Sequence, residues 1–415
     1  MRNPANTIQA QPDLIFVSLE DWDEVWRRNQ FLCAGLARRS PDRKILFVGL
    51  ARDVSHSLRR GRLGALRAAP VRAVPEYPNI TLLHPLKVFP NTLFWGRRAN
   101  EALARRQVRR AAQALGITRP LLWLNPHSAV HMAGRMGERA VVYDITDDWI
   151  SLTQKDWLRR LTAAQDAALC GRADAVIVCS QKLFDMKRGL AKNLHLIPNG
   201  VDAAHYRRVQ DTALPVPPPA AHWPKPVLGY TGTIHPDRVD MGLVEALARR
   251  FAHGTVALVG PNLLPPEDEA RLKALGNVPI TGAVPYAQVP DYMRAFDVCI
   301  TPHRMTPFTE SLNPIKLWEY LAGGKPIVST DVAGFRDFPQ FVRIAGTTKA
   351  FLEAAEAALA EGRTGQAARQ AEAQQHSWKS RLDAVEAVLR GCLSAEGRTD
   401  SPPKPCQRLN ESDAG

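Results

Sequence analysis

The chain has 415 residues, about three times the ~150-residue domain prior, so two or three domains are expected. An apolar content of 45% fills real cores and excludes a wholly disordered or fibrous chain. Lys and Arg number 54 against 41 Asp and Glu, a formal charge of +13, which favours an anionic partner: a nucleotide, a phosphorylated lipid, a membrane surface or a nucleic acid.

The first 12 residues are polar and lack an apolar signal-peptide core, and no apolar run approaches ~18 residues, so neither a secretory signal nor a membrane span is expected. Strand-like runs follow at residues 14–19, 44–48, 80–83, 121–124, 140–145, 175–179 and 194–197. Arginine-rich helical periodicity fills residues 26–39 and 97–115. Apolar strands without polar alternation, separated by helices, predict a parallel sheet covered on both faces over residues 1–206. Residues 207–226 contain Pro215, Pro217, Pro218, Pro219, Pro224 and Pro226, too many fixed φ angles for a helix or a central strand, and read as an interdomain linker.

The alternation restarts at 227–230 and continues with strands at 256–259, around Ile280, and at 298–300, 326–328 and 341–344, a second α/β unit over 227–372. A helix over 373–390 is expected to cross back to the first unit, and residues 391–415, polar with Pro402, Pro403 and Pro405, read as a disordered tail. The fold class is therefore α/β, with two doubly wound Rossmann-like domains facing across a cleft that holds the ligand at the carboxyl ends of the strands. The six cysteines, Cys33, Cys170, Cys179, Cys299, Cys392 and Cys406, form no CxxC pair and read as buried free thiols in a reducing compartment.

Gly232 follows the first strand of the second unit, where it allows close backbone approach. The loop amides and Arg238 offer donors for phosphate, although an ordinary βα turn with a solvated arginine has the same sequence. Neither this turn nor Val256 to Gly260 has dinucleotide or P-loop spacing, which weakens dehydrogenase and kinase readings. The densest constellation is Thr309 to Val328. There Asn313 is an expected N-cap and Pro314 a first helical residue, and Lys316 and Glu319 share one helix face. They form either a surface i,i+3 pair or a phosphate cation beside a ribose-diol acceptor.

The segments IPNGVD (197–202), LGYTGTI (228–234), LVGP (258–261), FDVCITP (296–302) and NPIKLWEYLAGGKPIVST (313–330), in this order, resemble the retaining GT-B glycosyltransferases of family 4, in particular the branch of polysaccharide and teichuronic-acid-like biosynthesis. The resemblance covers roughly residues 13–389. It implies transfer of a hexose-type sugar from a nucleotide-diphosphate donor to a saccharide or lipid-linked saccharide, with retention. Glu319 then matches the family's ribose-binding glutamate. The family's other glutamate falls on Ser311, with Glu310 one position away, and Gly232, Thr233, Leu312 and Asn313 complete the donor set. Arg238 and Lys316 are the cations expected to meet charge on the leaving phosphate. His127 resembles the family's histidine beside the transferred sugar.

The strand-to-helix loop WDEVWRRNQ (22–30) replaces the family's glycine-rich turn. Arg27, Asn29 and Gln30, with Asp144 and Asp148, are the expected acceptor contacts, and Asp147 an expected helix cap. No metal and no cofactor are expected. A nonhydrolysing sugar-nucleotide epimerase, with His127, Asp144 and Glu310 as acid/base groups, is the enzyme alternative. A noncatalytic module for anionic lipid or nucleic acid is the other, although the arginines have no nucleic-acid-binding motif around them, and no nucleic-acid partner is expected. Cytoplasmic placement is expected, with Arg98, Arg105, Arg106 and Arg109 on one helix face toward an anionic membrane surface.

Overall fold

The computed structural model describes residues 11–54, 71–153 and 155–396. In chain order the first unit consists of β1 (Leu14–Val17), α1 (Arg28–Arg39), β2 (Ile45–Val48), β3 (Arg52–Asp53), β4 (Val71–Val74), β5 (Tyr77–Leu83), β6 (Leu86–Lys87), α2 (Phe94–Ala114), β7 (Leu121–Leu124), β8 (Ala140–Ile145), α3 (Trp149–Leu152), α4 (Asp156–Arg172), β9 (Ala175–Val178), α5 (Gln181–Lys187) and β10 (Leu194–Leu196). Its eight-stranded sheet has the order β10-β9-β8-β7-β1-β2-β5-β4, parallel except for the β4–β5 pair. Strands β1, β2, β7, β8 and β9 are buried along their whole length, as a sheet covered on both faces requires. Alternate residues feed opposite cores: Leu14 and Phe16 pack on one face, Ile15 and Val17 on the other with Val108 of α2 and Leu169 of α4.

Next come α6 (Ala203–Arg207), α7 (Pro218–Ala221), β11 (Val227–Thr231), α8 (Met241–Arg250), β12 (Thr255–Val259), α9 (Pro266–Lys273), α10 (Val289–Arg294), β13 (Val298–Thr301), α11 (Ile315–Gly323), β14 (Ile327–Thr330), β15 (Val342–Ala345), α12 (Thr348–Glu361), α13 (Gln366–Gln375) and α14 (Trp378–Glu396). The second sheet is wholly parallel, in the order β12-β11-β13-β14-β15.

Several boundaries differ from the sequence reading. The 207–226 stretch is not a free linker: Val209 and Ala220 are buried in the second core, Arg208 pairs with Asp291 at 3.1 Å, and Gln210 donates to the Gly323 carbonyl. Its prolines are accommodated by loops around the short helix α7, where Pro218 and Pro219 occupy the first turn and need no amide donor. Ile280 makes only an isolated bridge with Leu258, and β4 was not anticipated because three of its four residues are exposed.

The helical end is broken at His376 and Ser377, where Ser377 bridges to Val201. Beyond the break, α14 buries Leu382, Val385 and Leu389 in the first core, and Gly35 of α1 leaves the space that Leu382 fills. Helix α14 runs on to Glu396 and buries Cys392, so the chain is helical at 391–396 where a tail was expected; residues 397–415 lie outside the described residues. Five cysteines are buried free thiols, and Cys406 lies outside the described residues. No described helix is long and apolar enough to cross a membrane.

Candidate active site

The carboxyl ends of β1, β8, β11 and β12 converge with the start of α11 on a cavity of ≈ 240 Å³ between the two sheets. On the second-domain side the chain turns sharply after β11. Gly232 has φ +127°, and a Cβ there would lie 2.3 Å from Lys316 Cε and 2.6 Å from its Nζ. Gly260, φ +142°, packs so closely that a Cβ would lie 2.3 Å from the Gly232 carbonyl oxygen. Both positions therefore need glycine, for conformation and for space.

The Lys316 ammonium lies over the Tyr230 ring at 5.2 Å and the Arg238 guanidinium over Phe308 at 5.1 Å. Neither cation forms an ion pair among the described residues. Lys316 and Glu319 do not reach ion-pair distance, so the surface-pair alternative does not hold for them. Helix α11 adds to the positive field: its N-cap position is Pro314, no side chain caps it, and its first turn holds no acid, so its leading amides and dipole face the cavity uncompensated. Two cations and an open helix start facing one cavity suit an anionic group.

Glu319, one turn further, lines the same cavity. The Tyr206 hydroxyl donates to it, yet burial raises its carboxyl above the ordinary range against the opposing pull of Tyr206 and Lys316. His303 is buried beside Tyr230; burial first, then the charges of Lys316 and Arg238, hold its imidazole well below the ordinary value, so it is neutral.

The first-domain wall differs from the expected one. Arg27 faces the cavity, with Glu20 at 3.5 Å and Asp23 at 3.5 Å. Asn29 is buried and donates to Ser18, Asn125 and Glu20, so it orients Glu20 and does not reach an acceptor. Gln30 caps α1 and binds the carbonyls of Asp21 and Val25. Asp144 is fully buried in a two-oxygen contact with Arg28, whose other nitrogen donates to Asn199. Asp148, not Asp147, is the helix cap, accepting from the Ser151 amide. Unlike Arg27, these four expected acceptor residues hold internal hydrogen bonds and do not line the cavity.

His127 does not line the cavity. It begins the turn His127–His131, and its charged neighbours are Asp166 and Lys187, themselves a buried pair at 2.6 Å. Glu310 forms a two-pronged ion pair with Arg336 at 2.6 and 2.9 Å, Ser311 turns its hydroxyl to the Phe308 carbonyl, and neither lines this cavity. Asn313 does not cap α11: its Oδ1 and carbonyl oxygen accept hydrogen bonds of 2.8 and 2.6 Å from the Asn199 amide and Nδ2, linking the two domains beside the Ser180 to Ser311 carbonyl bond of 2.6 Å. Gly232, Thr233, Arg238, Leu312, Asn313, Lys316, Glu319 and Arg27 do meet in one cavity.

The sequence reading missed Glu20 and Asp147, two acids facing Arg238 across the cavity. Burial raises Glu20 to about 7, against the pull of Arg27, with Asp147 adding to the rise. Burial likewise raises Asp147 to about 6, opposed by Arg238. Their place just beyond the carboxyl ends of β1 and β8 was the available signal. Among the described residues no cluster of His, Cys, Asp and Glu could hold a metal ion.

Residues 225–362 match the family described as Glycosyl transferases group 1. That match spans most of the second domain. A relative from Bacillus subtilis (strain 168), TuaH, named for teichuronic acid biosynthesis as a glycosyltransferase, is 27% identical over 206 residues, 46% of this chain and 50% of its own length. The chain thus matches about half of that relative. Among solved structures, sucrose-phosphate synthase from Thermosynechococcus elongatus superposes with a TM-score of 0.69 at 16% identity, over 93% of this chain and 100% of that one. Anabaena Alr3699/HepE in complex with UDP-glucose gives 0.63 at 18% identity, over 91% and 99%. These two likenesses establish the GT-B fold.

Proposed function

We propose that the chain transfers a hexose-type sugar from a nucleotide-diphosphate donor to a saccharide or lipid-linked saccharide, with retention at the anomeric carbon, in surface polysaccharide synthesis on the cytoplasmic side of an anionic membrane. The observation that carries the reading is the pair of unpaired cations, Arg238 and Lys316, set against glycine turns and the open start of α11, with Glu319 one turn away. The group 1 match over the second domain and the teichuronic acid relative support it, and the UDP-glucose complex of the structural neighbour makes uridine donors the first to test.

In this reading the Gly232 turn and the α11 amides cradle the diphosphate, and Glu319, braced by Tyr206, accepts from the ribose hydroxyls. As the glycosidic bond breaks through an oxocarbenium-like state, charge gathers on the leaving phosphate, and Lys316 and Arg238 meet it. Glu20 and Asp147 form the acceptor-side wall. The acid/base set that epimerisation would draw on is dispersed: Asp144 is bound to Arg28, Glu310 to Arg336, and His127 lies beside the Asp166–Lys187 pair.

A nucleotide-sugar panel read by thermal stabilisation, followed by transfer of labelled sugar to membrane extracts, tests the proposal. A true donor at a hundred times its Kd stabilises by ~2.7 kcal/mol. No stabilisation by any nucleotide sugar would overturn it.

A further inference from the structure

A second feature lies outside the cavity, on the first domain. Within eight residues Val88, Phe89, Leu93, Phe94 and Trp95 are 40%, 36%, 44%, 51% and 57% exposed. Scattered surface apolar residues are ordinary, but a contiguous group of this kind marks an interaction surface. The display is built, not loose. Buried Asn100 accepts from the amides of Val88 and Phe89 and donates to the Phe89 carbonyl and to Asn91 Oδ1, at 2.7 to 3.1 Å. Gly96 lets the loop close on α2: a Cβ there would lie 2.5 Å from the Pro90 carbonyl oxygen. Phe89 meets Trp95 edge to face at 5.4 Å.

Topology places a second exposed apolar pair at the same edge of the sheet. Helices α2 and α4 cover the same face of the first sheet, and both begin at the carboxyl edge of its parallel strands, the edge that borders the cleft. The start of α4 exposes Trp157 at 46% and Leu158 at 37%.

The charge around the patch selects its partner. Helix α2 carries six arginines against one acid, Glu101, and Arg97 and Arg98 lie over the Phe94 ring at 5.6 and 5.0 Å. Exposed Lys155 and Arg160 flank Trp157. The arginine face expected from the sequence is in part turned inward: Arg105 contacts His131 and Arg109 donates to the Arg135 carbonyl. The aromatic tip stays exposed, with Arg97 and Arg98 packed over its Phe94 ring. Tryptophan and phenylalanine edged by arginine match the chemistry of an anionic bilayer interface, with rings at headgroup depth and guanidinium groups on the phosphates.

We infer that the loop at 88–95, together with the first turns of α2 and α4, inserts into an anionic phospholipid surface and holds the cleft mouth against it. A lipid-linked acceptor then enters the cleft without leaving the bilayer. This rests on the membrane-side acceptor of the proposed function, and donor binding measured on the same variants separates the failure of one from the failure of the other.

The experiment is flotation of the full chain with vesicles of phosphatidylcholine alone and of phosphatidylcholine with 30 mol% phosphatidylglycerol (roughly the anionic fraction that makes a surface attractive to cations). Wild type is expected to float with the anionic vesicles only. The pair Phe94→Ser and Trp95→Ser should lower partitioning by about tenfold, and Arg97→Gln with Arg98→Gln by about fivefold per arginine. The Phe94/Trp95 variant should match wild type in melting and in UDP affinity, because both side chains are exposed and neither lines the cavity. Undiminished flotation of the Phe94/Trp95 variant, or no flotation of wild type, overturns the inference. So does a wild-type dimer in light scattering that this variant converts to monomer, since the patch would then be a contact between copies of the chain.

Discussion

Gly232→Ala is the most revealing single change in the cavity. Alanine must adopt φ near +127°, a strained conformation for any L side chain, which costs ~1–3 kcal/mol of fold stability. Its methyl would also lie 2.3 Å from Lys316 Cε, so the flexible lysine end is displaced before the backbone yields. If Lys316 meets the donor phosphate, the lost charge-assisted contact is worth ~1.5–3 kcal/mol, or about 10- to 150-fold in nucleoside-diphosphate affinity. Urea unfolding and isothermal titration with UDP measure the two losses separately. The effect travels through Lys316, so Lys316→Ala added to Gly232→Ala should weaken binding little further and should regain part of the stability by removing the clash. Wild-type UDP affinity in Gly232→Ala, or binding losses that add in full, would refute the reasoning.

Asp144→Ala should cost ~3–5 kcal/mol in urea unfolding, because it leaves Arg28, 3% exposed, charged and unpaired. The acid pair has a definite pH signature. Glu20 rises from 4.5 to about 7 and Asp147 from 3.8 to about 6 on folding, so the folded chain holds these protons more tightly and unfolding releases them. Their contribution to stability is therefore present below pH ~4 and is lost as pH rises to ~7, and Glu20→Gln should flatten the upper part of that decline in melts from pH 4 to 8. The same ionisations place negative charge opposite an anionic ligand, so UDP should bind more tightly at pH 6 than at pH 8, and less pH-dependently in Glu20→Gln.

The second-domain wall was legible because its chemistry is contiguous. Gly232 to Arg238 is one strand-to-helix turn, and Lys316 and Glu319 share a helix face whatever the tertiary context. The first-domain wall was not, because single-residue phase decides it. Asp147 faces the cavity while its neighbour Asp148 caps a helix, and Arg27 reaches the cleft while Asn29, two residues on, turns inward. Glu310 and Ser311 were misplaced for the same reason: the short turn Thr309–Ser311 rotates one toward Arg336 and the other into the protein. Fold class followed from apolar runs. The packing of 207–226 onto the second domain did not, since prolines mark where regular structure stops but not what a loop lies against.

The central claim is that this cavity binds a nucleoside diphosphate through Glu319 on the ribose and Lys316 on the phosphates. Isothermal titration of UDP into wild type, Glu319→Ala and Lys316→Ala, each shown to be folded by circular dichroism, tests it most directly. The account predicts saturable wild-type binding, with each substitution weakening it by about tenfold or more. UDP affinity unchanged in folded Glu319→Ala would contradict it.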